Sequence, residues 1–268
     1  MEEEIKKRVK KTFDTVSGGY DKPALRFFAK SAENLAGILD LQGNEHVLDL
    51  ATGTGNAALA IARHLPHGKV TGIDLSPGML SQARSKAQGA KNVEFLEMDL
   101  QNLDFPDGHF DAASCAFGIF FLEDMAASFR HAAGKVKPEG KIAMCGFREG
   151  SFAPNADLLY GRLESCGVRK PELSWMRLGT EEKWRTLFGS AGLESIQIES
   201  RDCGYFLESS MDWWELVWNA GFRGHIEQIP ENELEKFRHD HLEEIQGLAT
   251  PQGIKLEVEV IYALGFLP

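Results

Sequence analysis

Val47-Leu48-Asp49-Leu50-Ala51-Thr52-Gly53-Thr54-Gly55 runs from an apolar tetrad into two closely spaced glycines. The tetrad reads as a buried strand and residues 56–65 as the helix that follows it. Glycine is needed where a strand turns tightly into a helix and a ligand must reach the backbone with no Cβ in the way. Working outward, the alternation repeats. Val70-Thr71-Gly72-Ile73 is a predicted strand, and a helix over 77–88 follows with Ser76 as N-cap and Pro77 in its first turn. Strands are expected over 93–98, 110–117 and 141–147, with a helix over 123–134 and a turn over 136–140. This spacing implies an α/β fold, parallel strands joined by right-handed crossovers with helices on both faces.

The flanks are less regular. Residues 3–16 form a predicted amphipathic helix with Ile5, Val9, Phe13 and Val16 on one face, and a second helix over 23–39 follows the Gly18-Gly19 break. Past 150, helices are expected over 152–165 and from Thr180, and strands over 195–200 and 256–264 bring the sheet to seven. The stretch of about 205–250 is too long for a plain loop and carries Trp213, Trp214, Trp218 and Phe222, so it reads as a helical insertion before the last strand.

The composition of the 268 residues, 43% hydrophobic and 26% charged, is that of a globular chain. A net charge of −11 repels a phosphate backbone, so no nucleic-acid partner is expected. The basic run Lys6-Lys7-Arg8 with Lys10-Lys11 sits beside Glu2, Glu3 and Glu4, where helix-face pairing explains it. The four cysteines form no Cys-x-x-Cys pair, which suits a reducing compartment. The start Met1-Glu2-Glu3-Glu4 is unlike a signal peptide and no run of 18 apolar residues occurs. The expectation is a cytoplasmic protein without stable membrane insertion.

Three carboxylates carry the chemistry. Asp49 lies near the end of the first strand, Asp74 closes the second, where an acid can accept hydrogen bonds from both hydroxyls of a ribose, and Asp99 follows the third, placed to meet an adenine edge. Singly each reads as a turn or capping residue. Together they occupy the carboxyl ends of successive strands, the edge where open α/β sheets bind ligands. Gly53-Thr54-Gly55-Asn56-Ala57-Ala58 also fits a relaxed dinucleotide fingerprint, which keeps a nicotinamide-dependent oxidoreductase open as an alternative.

The order Asp49-x-Ala51-x-Gly53-x-Gly55, then Asp74, Met98-Asp99, Phe110-Asp111 and Val136-Lys137-Pro138-Glu139-Gly140 resembles the class I S-adenosylmethionine-dependent methyltransferases over about residues 46–147. The opening Phe13-Asp14 to Tyr20-Asp21 further resembles the quinone-biosynthesis C-methyltransferases and their small-molecule relatives. Two positions depart from the family pattern: Ala51 replaces its usual first glycine, and Glu139 its usual Lys-Pro-Gly-Gly turn residue.

The resemblance implies a Rossmann-like, mostly parallel seven-stranded sheet forming one methyltransferase domain. Its parts would be an N-terminal helical lid over 1–42, a cofactor-binding core over 43–150, and an acceptor-side half over 151–268. It also implies that S-adenosylmethionine lies along Asp49, Ala51, Gly53 and Gly55. The Gly53–Gly55 turn would pass beneath its methionine part, and Asp49 would contact the amino group. Asp74 would hold the ribose diol and Asp99 the adenine amino group, while Leu75, Met79 and Leu100 sandwich the purine and Tyr20 closes over the cofactor.

The methyl acceptor is expected to be a small molecule, apolar or aromatic. It would sit past the fourth strand, where Phe117, Phe120 and Phe121 make a strand-to-helix loop unusually apolar. Trp214 and Trp218, which with Phe222 recur every fourth residue, are further candidates for that pocket, although such a stripe is more often core. No catalytic base stands out among Glu123, Asp124 and the histidines of the insertion, and methyl transfer does not require one. His239 and His241 sit two apart on a helix and point away from each other, so no metal is expected. A second alternative is a methyltransferase-like scaffold that binds the cofactor without turnover.

Overall fold

The computed structural model describes residues 2–169 and 173–268. Nine strands occur among them: β1 (His46–Leu50), β2 (Lys69–Asp74), β3 (Val93–Glu97), β4 (Phe110–Ala116), β5 (Val136–Phe147), β6 (Glu194–Asp202), β7 (Tyr205–Leu207), β8 (Ile254–Leu256) and β9 (Glu259–Phe266). Seven join one sheet in the order β3-β2-β1-β4-β5-β9-β6, and β7 and β8 form a separate antiparallel pair. The pairs among β1 to β5 are parallel, while β9 runs antiparallel between β5 and β6. The order reverses beside β1, between β2 and β4, which is where such sheets open a crevice at their carboxyl edge.

The helices are α1 (Glu2–Val16), α2 (Phe27–Ile38), α3 (Asn56–Ala62), α4 (Pro77–Lys86), α5 (Met125–Ala133), α6 (Asn155–Ser165), α7 (Glu181–Ser190), α8 (Ser210–Trp218), α9 (Arg223–Ile226) and α10 (Glu231–Gln246). α4 begins as its sequence predicts, the Ser76 hydroxyl accepting Met79 N–H and Pro77 filling the first turn. The predicted helix over 23–39 is split: Pro23–Leu25 forms a 3₁₀ turn and α2 starts at Phe27. The predicted turn over 136–140 lies within β5 as a bulge, with the register slipping between Phe110 and Ala112 and Glu139 at φ 62°. A Cβ at Gly140 would stand 2.5 Å from Val136 Cγ1, so that position admits only glycine.

The core is continuous from the sheet into the insertion. Val47, Leu48 and Leu50 of β1 and Val260, Ile261 and Ala263 of β9 are fully enclosed. Trp184 and Phe188 of α7 and Trp213 of α8 are also fully enclosed. Replacing Ile261, on a strand paired on both sides, by alanine leaves a cavity that its neighbours cannot collapse into. Ile261→Ala is expected to lower unfolding free energy by about 2–5 kcal/mol in urea denaturation.

Candidate functional site

The turn after β1 is held by the end of β2. Asp74 accepts Gly53 N–H at 2.8 Å and Ser76 N–H at 2.8 Å, so one carboxylate fixes both the glycine turn and the start of α4. Three residues of the turn are left-handed: Ala51 at φ 50°, Gly53 at 57° and Gly55 at 80°. Ala51 therefore sits in a conformation that favours glycine. Space for its methyl comes from Gly118, where an added Cβ would lie 2.5 Å from Ala51 Cβ. Open space surrounds Gly53, whereas a Cβ at Gly55 would press on Phe95 and Ala83. Gly53 thus admits a ligand, and Gly55 permits close packing.

Asp49, Ala51, Gly53, Asp74, Leu75, Met79, Asp99, Leu100 and Tyr20 all line one cavity of about 140 Å³ at this edge. Gly55 does not line it. Asp49 is completely buried, and its partners are the Ser114 hydroxyl at 2.7 Å and the Thr52 hydroxyl at 2.5 Å, neither of them a cation. Burial outweighs those hydrogen bonds and pushes its carboxyl up to about 6. Burial likewise raises Asp74, against the backbone N–H groups it accepts. Asp99 goes the other way. Burial opposes its charge, but Lys6 Nζ at 2.6 Å, Gln101 N–H at 2.9 Å and Asn102 Nδ2 at 3.3 Å hold it below the usual carboxylate range. Two under-compensated buried acids suit a ligand that offers an ammonium and hydroxyl donors.

The first helix roofs this cavity. Lys6 of α1 reaches Asp99, and Asp14 accepts Ser76 Oγ–H at 2.6 Å and Gly78 N–H at 3.1 Å at the start of α4. Val9 and Phe13, on the same helix, line the cavity from above. These contributions escape sequence reading, because Lys6 and Asp14 resemble ordinary helix-surface charges and their partners lie far along the chain.

A larger chamber of about 1270 Å³ adjoins the first. The two share Val9, Phe13, Tyr20, Phe28, Phe117 and Phe121, a wall made almost entirely of aromatic rings. Tyr20 stacks on Phe28 at 4.5 Å between centroids, and Phe28 meets the edge of Phe117 at 5.2 Å. Phe117 follows β4 at φ 56°, a strained conformation for a bulky residue. Phe120 lines the chamber too, as does the cluster of Phe147, Phe152, Trp175 and Phe222.

Trp214 and Trp218 line neither cavity, which corrects their assignment to an acceptor pocket. α8 ends at Trp218, so Phe222 belongs to the next turn and alone of the three enters the chamber. Trp214 stacks on Trp218 at 5.8 Å, with Arg238 and Arg223 against their respective rings. Of the candidate bases, Asp124 caps α5 through Ala127 N–H, His241 accepts Trp213 Nε1–H at 2.8 Å in the core, and exposed His239 pairs with Glu243. Glu123 and His225 line the chamber.

Residues 47–140 match the family profile described as a methyltransferase domain. The chain is 32% identical over 152 residues to aklanonic acid methyltransferase of Streptomyces sp. (strain C5), covering 55% of this chain and 69% of that protein. It is 28% identical over 221 residues to demethylmenaquinone methyltransferase of Bacillus cereus (strain B4264), covering 74% and 92% respectively. Among solved structures, the YcgJ protein from Bacillus subtilis aligns with TM-score 0.60 at 23% identity, covering 89% of this chain and 98% of that one. A SAM dependent methyltransferase from Aquifex aeolicus aligns with TM-score 0.52 at 20% identity, covering 70% and 90%. The last two likenesses show the fold.

The buried acid yields a pH signature. Because the folded-state pKa of Asp49 lies above its unfolded value near 4, its contribution to stability is complete below about pH 4 and is lost as pH rises through 6. In the ligand-free protein, the unfolding free energy of wild type minus that of Asp49→Asn is expected to fall by about 2 kcal/mol between about pH 4.5 and 7.5. Urea titrations of both proteins measure it, and a pH-independent difference would return Asp49 to the ordinary range.

Proposed function

Because this chain belongs to the class I S-adenosylmethionine-dependent methyltransferases, we propose that it transfers the cofactor's methyl group to a small, apolar and largely aromatic acceptor. The observation that carries this reading is the pair of adjoining cavities, one edged with carboxylates and the other walled with aromatic rings, which meet at six shared side chains. The names of the relatives support it, since one acts on aklanonic acid and the other on demethylmenaquinone.

In this proposal the smaller cavity holds the cofactor. Asp49 takes the α-ammonium as the cation its buried carboxyl lacks, and Gly53 leaves room for the methionine part. Asp74 accepts the ribose hydroxyls, Asp99 accepts the adenine amino group, and Leu75, Met79 and Leu100 flank the purine. Tyr20 and Phe13 cover the sulfonium side, with residues 1–42 as a helical lid over a core of 43–150 and an acceptor half of 151–268. Phe117, Phe120 and Phe121 then contact the acceptor.

S-adenosylmethionine supplies a methyl group on a positively charged sulfur, so the leaving group is already activated. What remains for the protein is alignment of the acceptor atom with that methyl and exclusion of water. The rings at the shared wall serve both: they are rigid, and all but Tyr20 offer no polar group to water. No helix among the described residues is long and apolar enough to cross a membrane. The four cysteines are unpaired, and we assign the protein to the cytoplasm as part of this reading.

S-adenosylhomocysteine is expected to raise the melting temperature and NAD to leave it unchanged. Asp74→Ala is expected to weaken S-adenosylhomocysteine binding by about 1–3 kcal/mol in calorimetry, through lost charge-assisted hydrogen bonds. An unchanged affinity would remove Asp74 from the cofactor site.

A further inference from the structure

The larger chamber is lined by cations as well as by aromatic rings. Arg8 and Lys11 of α1 and Arg169 line it, yet none of them lines the smaller cavity. Among the described residues Arg8 forms no ion pair, although the chain as a whole carries a net charge of −11. The other charges of the lining are largely committed. Arg177 is spent on the carbonyls of Phe120, Leu122 and Glu123, and Arg223 Nε holds Glu227 at 2.7 Å. Among the described residues, Glu123 is then the opposing carboxylate, and Arg8, Lys11 and Arg169 form no ion pair.

His225 lines the same chamber as Arg8 and feels its charge. α9 packs on α1 closely enough that a Cβ at Gly224 would lie 3.9 Å from Thr12 Oγ1. The ring of His225 meets the edge of buried Tyr160 at 5.9 Å, which fixes its orientation. Burial first, and the nearby Arg8 charge second, hold its pKa below the usual histidine value, so it is neutral near pH 7 and offers one N–H. A cation and a neutral donor in the lining of a chamber that also carries many aromatic rings match an anion attached to an apolar body. Focusing in a low-dielectric cleft strengthens the attraction.

We propose that the acceptor carries an acidic group, a carboxylate in chemistry, which binds Arg8 and His225 where α1 and α9 line the larger chamber. The rings of the wall grip the apolar body, and the cations set which end points toward the cofactor. Without that fixed end, a flat apolar acceptor could enter either way round. This rests on the reading of the larger chamber as the acceptor site.

The test uses the full-length chain saturated with S-adenosylhomocysteine and matched probe pairs: phenol with salicylic acid, and 1-naphthol with 1-hydroxy-2-naphthoic acid. In at least one pair the acid is expected to bind roughly tenfold or more tightly than its neutral partner in calorimetry, the scale of one charge-assisted hydrogen bond. Raising salt from about 50 to about 500 mM should erode that preference. Arg8→Met should abolish the preference while the affinities for the neutral probe and for S-adenosylhomocysteine stay within about twofold, and Arg8→Lys should restore part of it. Equal binding within every pair, no binding by any acid, or a preference that survives Arg8→Met would each overturn the proposal. Methylation assays with S-adenosylmethionine separate the two readings. Neutral aromatics methylated as well as their acids would sink only the anionic end, whereas cofactor binding with no aromatic acceptor methylated would sink the acceptor assignment itself.

Discussion

The carboxylate of Asp74 ties two strand ends together. Its two oxygens accept Gly53 N–H from the turn after β1 and Ser76 N–H at the start of α4. Parallel pairing of β1 with β2, Leu50 opposite Ile73, sets the height at which this happens. Once the turn is anchored there, the left-handed angles at Ala51, Gly53 and Gly55 follow, because the chain must double back within a few residues to enter α3. The same geometry leaves Asp49 beneath the turn, met by the Thr52 and Ser114 hydroxyls and the Ala58 backbone and facing the cavity. A carboxylate buried without a cation costs stability in the free protein. Its persistence makes sense when a cationic ligand is the missing partner.

The second consequence concerns the roof. α1 is amphipathic, and its apolar face has no sheet to cover, since the face of β1 to β3 is already served by α3 and α4. It lies instead over the strand ends, with Val9 and Phe13 turned into the cavities and Lys6 and Asp14 reaching the rim. One helix thereby contributes to both chambers: polar contacts to the edge of the first, Val9 and Phe13 to the wall between them, and cations to the lining of the second.

Most of the core was legible in the sequence because its signals are local. Apolar tetrads, a Ser-Pro helix start and glycines at a forced turn each depend on residues a few positions apart, and the seven strands and the convergence of Asp49, Asp74 and Asp99 on one rim followed from them. What was not legible depends on distant pairing. β7 and β8 are three residues each and meet across the whole insertion, so neither has a period to read. The fourfold spacing of Trp214, Trp218 and Phe222 suggested one helical face, but α8 stops at Trp218 and only Phe222 enters the chamber. The base candidates were likewise undecidable from spacing. Coordinates were needed to see that Asp124 caps a helix and His241 serves Trp213, while Glu123 and His225 face the chamber.

Ala51 shows how a departure from pattern is absorbed. Alanine in a left-handed conformation costs roughly 1 kcal/mol relative to glycine, and its methyl also needs space at the most crowded point of the edge. That space exists because Gly118, after β4, has no side chain to oppose it. The pairing also constrains Phe117. With Gly118 unable to fill the gap, the strained backbone of Phe117 swings its ring to the boundary between the two cavities, against Phe28 and Phe147. A small residue at 118 and a large one at 117 are thus two halves of one solution, in which the turn keeps its alanine and the wall keeps its ring. A larger side chain at 118 would have to displace Ala51 or Cys115, and through Ala51 it would disturb the Gly53 turn that Asp74 holds.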